Sequence, residues 1–169
     1  MPKYTIASLD LDAIGNEFRT VHGNANSVSA AWPTANKALY IQFSVNERAI
    51  ATALFTASGT TIGTDSIDLG IYDRTGLRLV SPGGALSASA NVIQVQNITD
   101  TILDPGYYYM ACAMNGTTAT LRSWVGVSEL LKFTGMYEQT SAYALPAQAT
   151  FATIATLYVP LFGVLFKGT

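Results

Sequence analysis

Residues 68–84 read D-L-G-I-Y-D-R-T-G-L-R-L-V-S-P-G-G, and two readings compete for them. Asp68 and Asp73, beside a glycine-bearing loop, have the makings of a metal cradle or a carboxylate pair. The same letters also spell two strands and the turn between them, and the spacing favours this second reading. Leu69 and Ile71 share one face of an extended segment, Asp68 falls on the opposite, solvent face, and Leu77 and Leu79 return on the next strand. Asp73-Arg74-Thr75-Gly76 supplies the turn. The aspartate accepts backbone N–H groups and Gly76 takes the positive φ. Ser81-Pro82-Gly83-Gly84 ends the second strand, because proline has no N–H to give a ladder.

The pattern extends outward on both sides. In LYIQFSV (39–45), Leu39, Ile41, Phe43 and Val45 alternate with Tyr40, Gln42 and Ser44, the period of a half-buried strand. AIATALFTAS, NVIQVQNI, GYYYMACAM and TATLRSWV follow at short spacing, with turn residues between them. Asp104-Pro105-Gly106 presets a tight turn, and Asn115-Gly116 reads as a hairpin turn. SELLKF (128–133) is the one helical candidate, worth a turn or two. The expected fold is therefore all-β: an antiparallel β-sandwich, jelly-roll-like. It comprises an extended N-terminal arm over residues 1–35 and a sandwich domain over 36–169. In GYYYMACAMN, Tyr107, Tyr109, Ala111 and Ala113 share one face and Tyr108, Met110, Cys112 and Met114 the other. Neither face is polar, so both need cover. The sandwich core covers one; a loop of the same domain or another chain covers the other.

Composition narrows the function. Only 12% of the 169 residues are charged, about half the roughly 25% of an ordinary soluble domain. A chain so poor in solubilising charge is expected to oligomerise or to coat another surface. The net charge is −2 with no basic cluster, so the footprint of a nucleic-acid binder is missing. MPKYTIASLDLD lacks the apolar stretch of a secretory signal. ATFATIATLYVPLFGVLF (149–166) is free of charge, but its threonines, Pro160 and Gly163 favour strand over a membrane helix.

Candidate chemistry is sparse. His22 is the sole histidine and Cys112 the sole cysteine, which leaves no disulfide and no His/Cys zinc set. Cys112 lies in an apolar strand and reads as a buried thiol. Asp10 and Asp12 offer too few oxygens for a hard cation, and Glu129 and Glu138 could pair only through tertiary folding. No nucleotide-binding glycine motif occurs, so no cofactor is expected. Asn97-Ile-Thr and Asn115-Gly-Thr match the glycosylation sequon, which carries no weight without a secretory signal. Trp124 shares the outward face of Arg122, where a ring can stack on a sugar or on a neighbouring subunit.

Three segments carry a resemblance: W-P-T-A-N-K-A-L-Y-I-Q-F (32–43), D-L-G-I-Y-D-R-T-G-L-R-L-V-S (68–81) and L-D-P-G-Y-Y-Y-M-A-C-A (103–113). In this order they resemble the strand-and-turn grammar of small β-sandwich modules in tailed-bacteriophage virion proteins. The resemblance covers residues 32 to about 125. It implies a non-enzymatic structural part of the virion, a capsid decoration (cement) protein or a fibre module, commonly a homotrimer. The chain starts at a methionine and carries no collagen-like repeat or heptad, so a stand-alone decoration protein is expected, bound to the major capsid protein on the capsid exterior. The alternative is a tail, baseplate or head-fibre module that binds host surface glycans. The interface residues expected are Tyr4, Ile6, Phe18, Trp32, Tyr108 and Trp124. SELLKFTGMYEQTSAYALPAQ (128–148) has no counterpart in the pattern and is expected to be a contact loop.

Overall fold

The computed structural model describes residues 28–87, 89–125, 131–132 and 135–167, together with the backbone pairing of Tyr4–Thr5; of Val125 the backbone alone is described. It is an antiparallel β-sandwich. The broad sheet has the order β12 (Ala152–Thr153), β11 (Met136–Gln139), β3 (Lys37–Val45), β9 (Gly106–Met114), β5 (Ser66–Asp73) and β6 (Arg78–Val80), with β7 (Ala85–Leu86) also on β5. The facing sheet has the order β1 (Tyr4–Thr5), β14 (Phe162–Phe166), β4 (Ala49–Ala57) and β8 (Ile93–Leu103). A smaller third sheet places β10 (Thr120–Val125) between β13 (Tyr158–Pro160) and β2 (Val28–Ala31).

The period-two alternation of these strands builds the core in cross-strand rows. Leu39, Cys112 and Leu69 lie side by side across β3, β9 and β5, and Ile41, Met110 and Ile71 form the next row. These residues are buried against Leu54, Phe162 and Val164 of the facing sheet. The apolar C-terminal run forms strands, as its β-branched and aromatic content favours. It changes sheet at Leu161, whose N–H donates to the Arg122 carbonyl at 2.7 Å while its own carbonyl accepts from Ala57 N–H at 3.0 Å.

The other face of the broad sheet is not open to solvent. Its middle rows are Ala38–Ala113–Asp68 and Tyr40–Ala111–Gly70, small residues flanked by rings. Residues 140–151 lie across this depression as a strap. A Cβ added to Gly70 would sit 3.0 Å from Leu145 Cδ1, so the glycine makes the seat into which Leu145 fits. Leu145, Ala142 and Ala149 are buried there against Tyr40 and Tyr72; one leucine so buried contributes about 1.5–3 kcal/mol. The strap is also hydrogen-bonded along its length. Ala142 N–H donates to the Asn36 carbonyl at 2.7 Å, Arg78 N–H to the Ala147 carbonyl at 2.9 Å, and Ala149 N–H to the Gly76 carbonyl at 2.7 Å. Tyr72 Oη donates to the Pro146 carbonyl at 2.7 Å. Tyr107 apart, the second tyrosine-run face is thus covered by the chain's own loop, and residues 140–148 of the unmatched segment supply most of that cover.

Several expectations need correction. Asp68 does not face solvent. It shares the strap-covered face with Gly70 and Tyr72 and is fully buried. Leu77 and Leu79 are exposed, because the bulge between Ile71 and Tyr72 breaks simple alternation with β6. Asn115-Gly116 closes no hairpin: β9 pairs with β3 and β5, whereas β10 pairs with β13 and β2. Neither residue takes a positive φ. The pair instead carries the chain from one sheet to the next, with Asn115 Oδ1 accepting from Ser66 N–H at 2.8 Å. The sandwich also begins before residue 36, since β2 pairs with β10 and Trp32 is 1% exposed. Of SELLKF, only Leu131 and Lys132 are described, both helical.

Candidate functional site

The carboxylates come first, because they are where hydrolytic or metal chemistry would sit. Asp73 Oδ1 accepts from Thr75 N–H at 2.8 Å, Thr75 Oγ1 at 2.7 Å and Leu77 N–H at 3.0 Å. Gly76 follows at φ 86°, so this is the turn the sequence predicts. Slight burial pushes the Asp73 carboxyl up, but bonds from Thr75, Leu77 and Gly76 outweigh it and hold the group below the usual carboxylate range. Asp68 Oδ1 accepts from Ser81 Oγ at 2.6 Å and Oδ2 from Leu145 N–H at 2.9 Å. Asp65 Oδ2 accepts from Thr118 N–H at 2.6 Å and Ala119 N–H at 2.7 Å.

Glu138 follows the same rule. Oε1 meets Lys37 Nζ at 3.1 Å, and Oε2 accepts from Thr156 N–H at 3.1 Å and Ala155 N–H at 3.3 Å. Burial raises its pKa, but the hydrogen bonds from Thr156, Lys37 and Ala155 and the Lys37 charge prevail and lower it. A carboxylate with a depressed folded-state pKa stabilises fully above its unfolded value, here 4.5, and that contribution is lost as pH falls through the folded value. Acid titration below about pH 4.5 is therefore expected to cost the wild type stability that Glu138→Gln, measured by chemical denaturation across pH 3–6, no longer loses. Asp65, Asp68 and Glu138 thus each fasten another segment of the chain through main-chain donors, and Asp73 closes its own turn. Glu129, Asp10, Asp12 and His22 lie outside the described residues. Among the described residues, no three His, Cys, Asp or Glu side chains cluster as a metal site, and burial followed by the nearby Asp68 charge pushes the Cys112 thiol up, away from the reactive thiolate.

The aromatic residues divide between core and surface. Tyr40 stands edge-on to Tyr72 at 5.4 Å and to Phe151 at 5.1 Å, and Tyr109 meets Phe151 at 4.5 Å. The tyrosine rings lie under the strap, and Phe151 packs onto them from its end. Trp32 donates its indole N–H to the Lys37 carbonyl at 3.0 Å and stands edge-on to Tyr158 at 5.4 Å. It is therefore used up inside the fold and is not presented to a partner. Tyr108 is half-buried beside Phe43, its hydroxyl donating to the Asp104 carbonyl at 2.9 Å. Trp124 is half-buried against the core on β10. Tyr4 pairs through its backbone with Leu165, while Ile6 and Phe18 lie outside the described residues. The six expected interface residues thus do not form one described patch.

Two surface features escape the sequence reading. Tyr107 is 64% exposed, at a shallow cleft of about 370 Å³ lined also by Asp73, Arg74, Thr75 and Tyr108. The second is β8, where Ile93, Val95 and Ile102 are exposed, beside exposed Val92 and Leu86. Tyr107 shares its strand face with the buried Ala111 and Ala113 and gives no sequence signal of its own. The apolar letters of β8 look like any other core strand.

Fold and surface together define an antiparallel β-sandwich in which Asp65, Asp68, Asp73 and Glu138 hold its own turns and loops and in which exposed aliphatic side chains recur along one described strand, β8. No helix among the described residues is long and apolar enough to cross a membrane. No family model, curated protein or solved structure matches the chain.

Proposed function

We propose that the protein is a structural component of a tailed-bacteriophage virion. In this reading it is a jelly-roll-like decoration protein on the capsid exterior that assembles as a homotrimer, bridges major-capsid-protein subunits and performs no catalysis. The observation that carries the reading is the surface: few charges in the sequence, and apolar side chains concentrated along β8. A contiguous exposed apolar surface marks a site of contact with another molecule. The resemblance supports the same reading: its three segments fall chiefly on β3, the β5–β6 hairpin and β9, neighbours in the broad sheet. A permanent structural contact buries on the order of 2,000 Å² or more, which accounts for the charge deficit.

The test is the position of the protein in an intact particle. Symmetry-resolved imaging is expected to place it on the capsid shell, and protein lacking residues 1–20 is expected to fold yet leave capsids bare. Location at the tail, or full occupancy by the truncated protein, overturns the proposal. The Tyr107 cleft favours a second reading, a fibre module that binds host glycans, since an exposed ring beside Arg74 can stack on a sugar face. Binding to host cells that is lost in Tyr107→Ala, with the fold intact, would replace the first reading with this one.

A further inference from the structure

Edge strands expose unpaired backbone groups, and folded proteins blunt them by keeping them very short. Most edges here follow that rule. β1 and β12 have 2 residues each, β6 and β13 have 3, and β2 has 4. β8 breaks it, with 11 residues at the edge of its sheet among the described strands. Its second half carries a protective device: the ladder to β4 shifts between Ala51 and Ala53, so that Ile98–Asp100 bulge opposite Thr52. The first half, Ile93-Gln94-Val95-Gln96-Asn97, has regular register against β4 and contains no charge, proline or glycine.

We propose that residues 93–97 of β8 pair antiparallel with the same residues of a second copy, joining two sandwiches into one continuous sheet. A two-fold axis at Val95 sets Val95 against itself and Ile93 of each copy against Asn97 of the other. Side chains at such positions lie about 4.5–5.5 Å apart. Three observations select a second copy over other partners. The ladder edge left open among the described strands takes an extended backbone, which this strand itself provides. Residues 92–99 carry no charge, so two copies meet without repulsion. Ile93 and Val95 project 65% and 51% exposed from the open face. The Leu86 carbonyl accepts from Gln94 Nε2 at 2.9 Å, which places Leu86 at the seam. A two-fold contact counts each of these side chains twice. A five-residue ladder still falls short of the roughly 800 Å² per partner of a stable interface, so the contact depends on concentration and becomes permanent where other contacts hold copies side by side.

Sedimentation of the full-length protein over a concentration series is expected to show a shift from a smaller to a larger species. Val95→Lys, which places a charge on the open face, should abolish that shift. Val95→Cys should form a disulfide-linked pair on mild oxidation; the native Cys112 is fully buried and stays silent. Leu77→Cys, about equally exposed but in the turn before β6, should not form one. Thermal melts that match wild type show that the variants are folded, and Ile93→Lys provides a second charged variant if Val95→Lys is unstable. A concentration shift that survives the charged variants, cross-linking no faster for Val95→Cys than for Leu77→Cys, or no concentration dependence at all overturns the proposal. None of these outcomes depends on where the protein sits in a virion.

Discussion

Trp32→Ala is expected to remove about 3–5 kcal/mol of stability and to lower the melting temperature by roughly 10 °C. The indole is 1% exposed, stands edge-on to Tyr158, and packs the segment after β2 into the core. Truncation opens a cavity between β2 and β13 and frees the Lys37 carbonyl, which accepts the indole N–H. With whole domains stable by only about 5–15 kcal/mol, the variant approaches the margin. Trp32→Phe separates the two contributions: it keeps most of the ring and is expected to cost about 1 kcal/mol for the lost hydrogen bond. Equilibrium denaturation of the two variants decides the matter. A near-neutral Trp32→Ala would place the residue in a detachable arm and contradict its packing.

Asp68→Ala is expected to cost about 3 kcal/mol and to act chiefly on the strap. The carboxylate ties Ser81 and the Leu145 N–H to the centre of β5. Removing it leaves a buried N–H without its partner, and charge-assisted bonds of this type contribute about 1.5–3 kcal/mol each. Hydrogen exchange is the readout that separates this loss from a general one: the Leu145 amide and its neighbours should lose protection well before Cys112 or Leu39. Uniform loss across the broad sheet, or a Leu145 amide as protected as in wild type, would be inconsistent with the strap being held at this point.

Much of the architecture was legible from local letters. The alternation of β3, the Asp73–Gly76 turn and the inward Leu69 and Ile71 depend on neighbours two to four residues apart, and the structure agrees with each. Asp68 was misplaced because alternation tells which residues share a face and says nothing about what covers that face. The cover arrives from Leu145, 77 residues away. Asn115-Gly116 misled for a related reason. The dipeptide marks a change of direction, and whether the next strand stays in the same sheet is decided by partners as remote as β2 and β13. Trp32 followed a polar stretch and looked peripheral, although β2 carries it into the core. The candidate surface was least legible of all, since exposure along β8 follows from its edge position and not from its composition.

The strap has a consequence for how the protein is made. The rings and alanines beneath it belong to strands that leave the ribosome early, Ala38 and Tyr40 among them, whereas Ala142, Leu145 and Ala149 come from the last fifth of the chain. During synthesis the nascent sheet therefore carries a bare, nearly charge-free face until translation is almost complete. An apolar face exposed in this way is prone to aggregation, and a nonsense mutation ahead of residue 140 removes the strap that covers it.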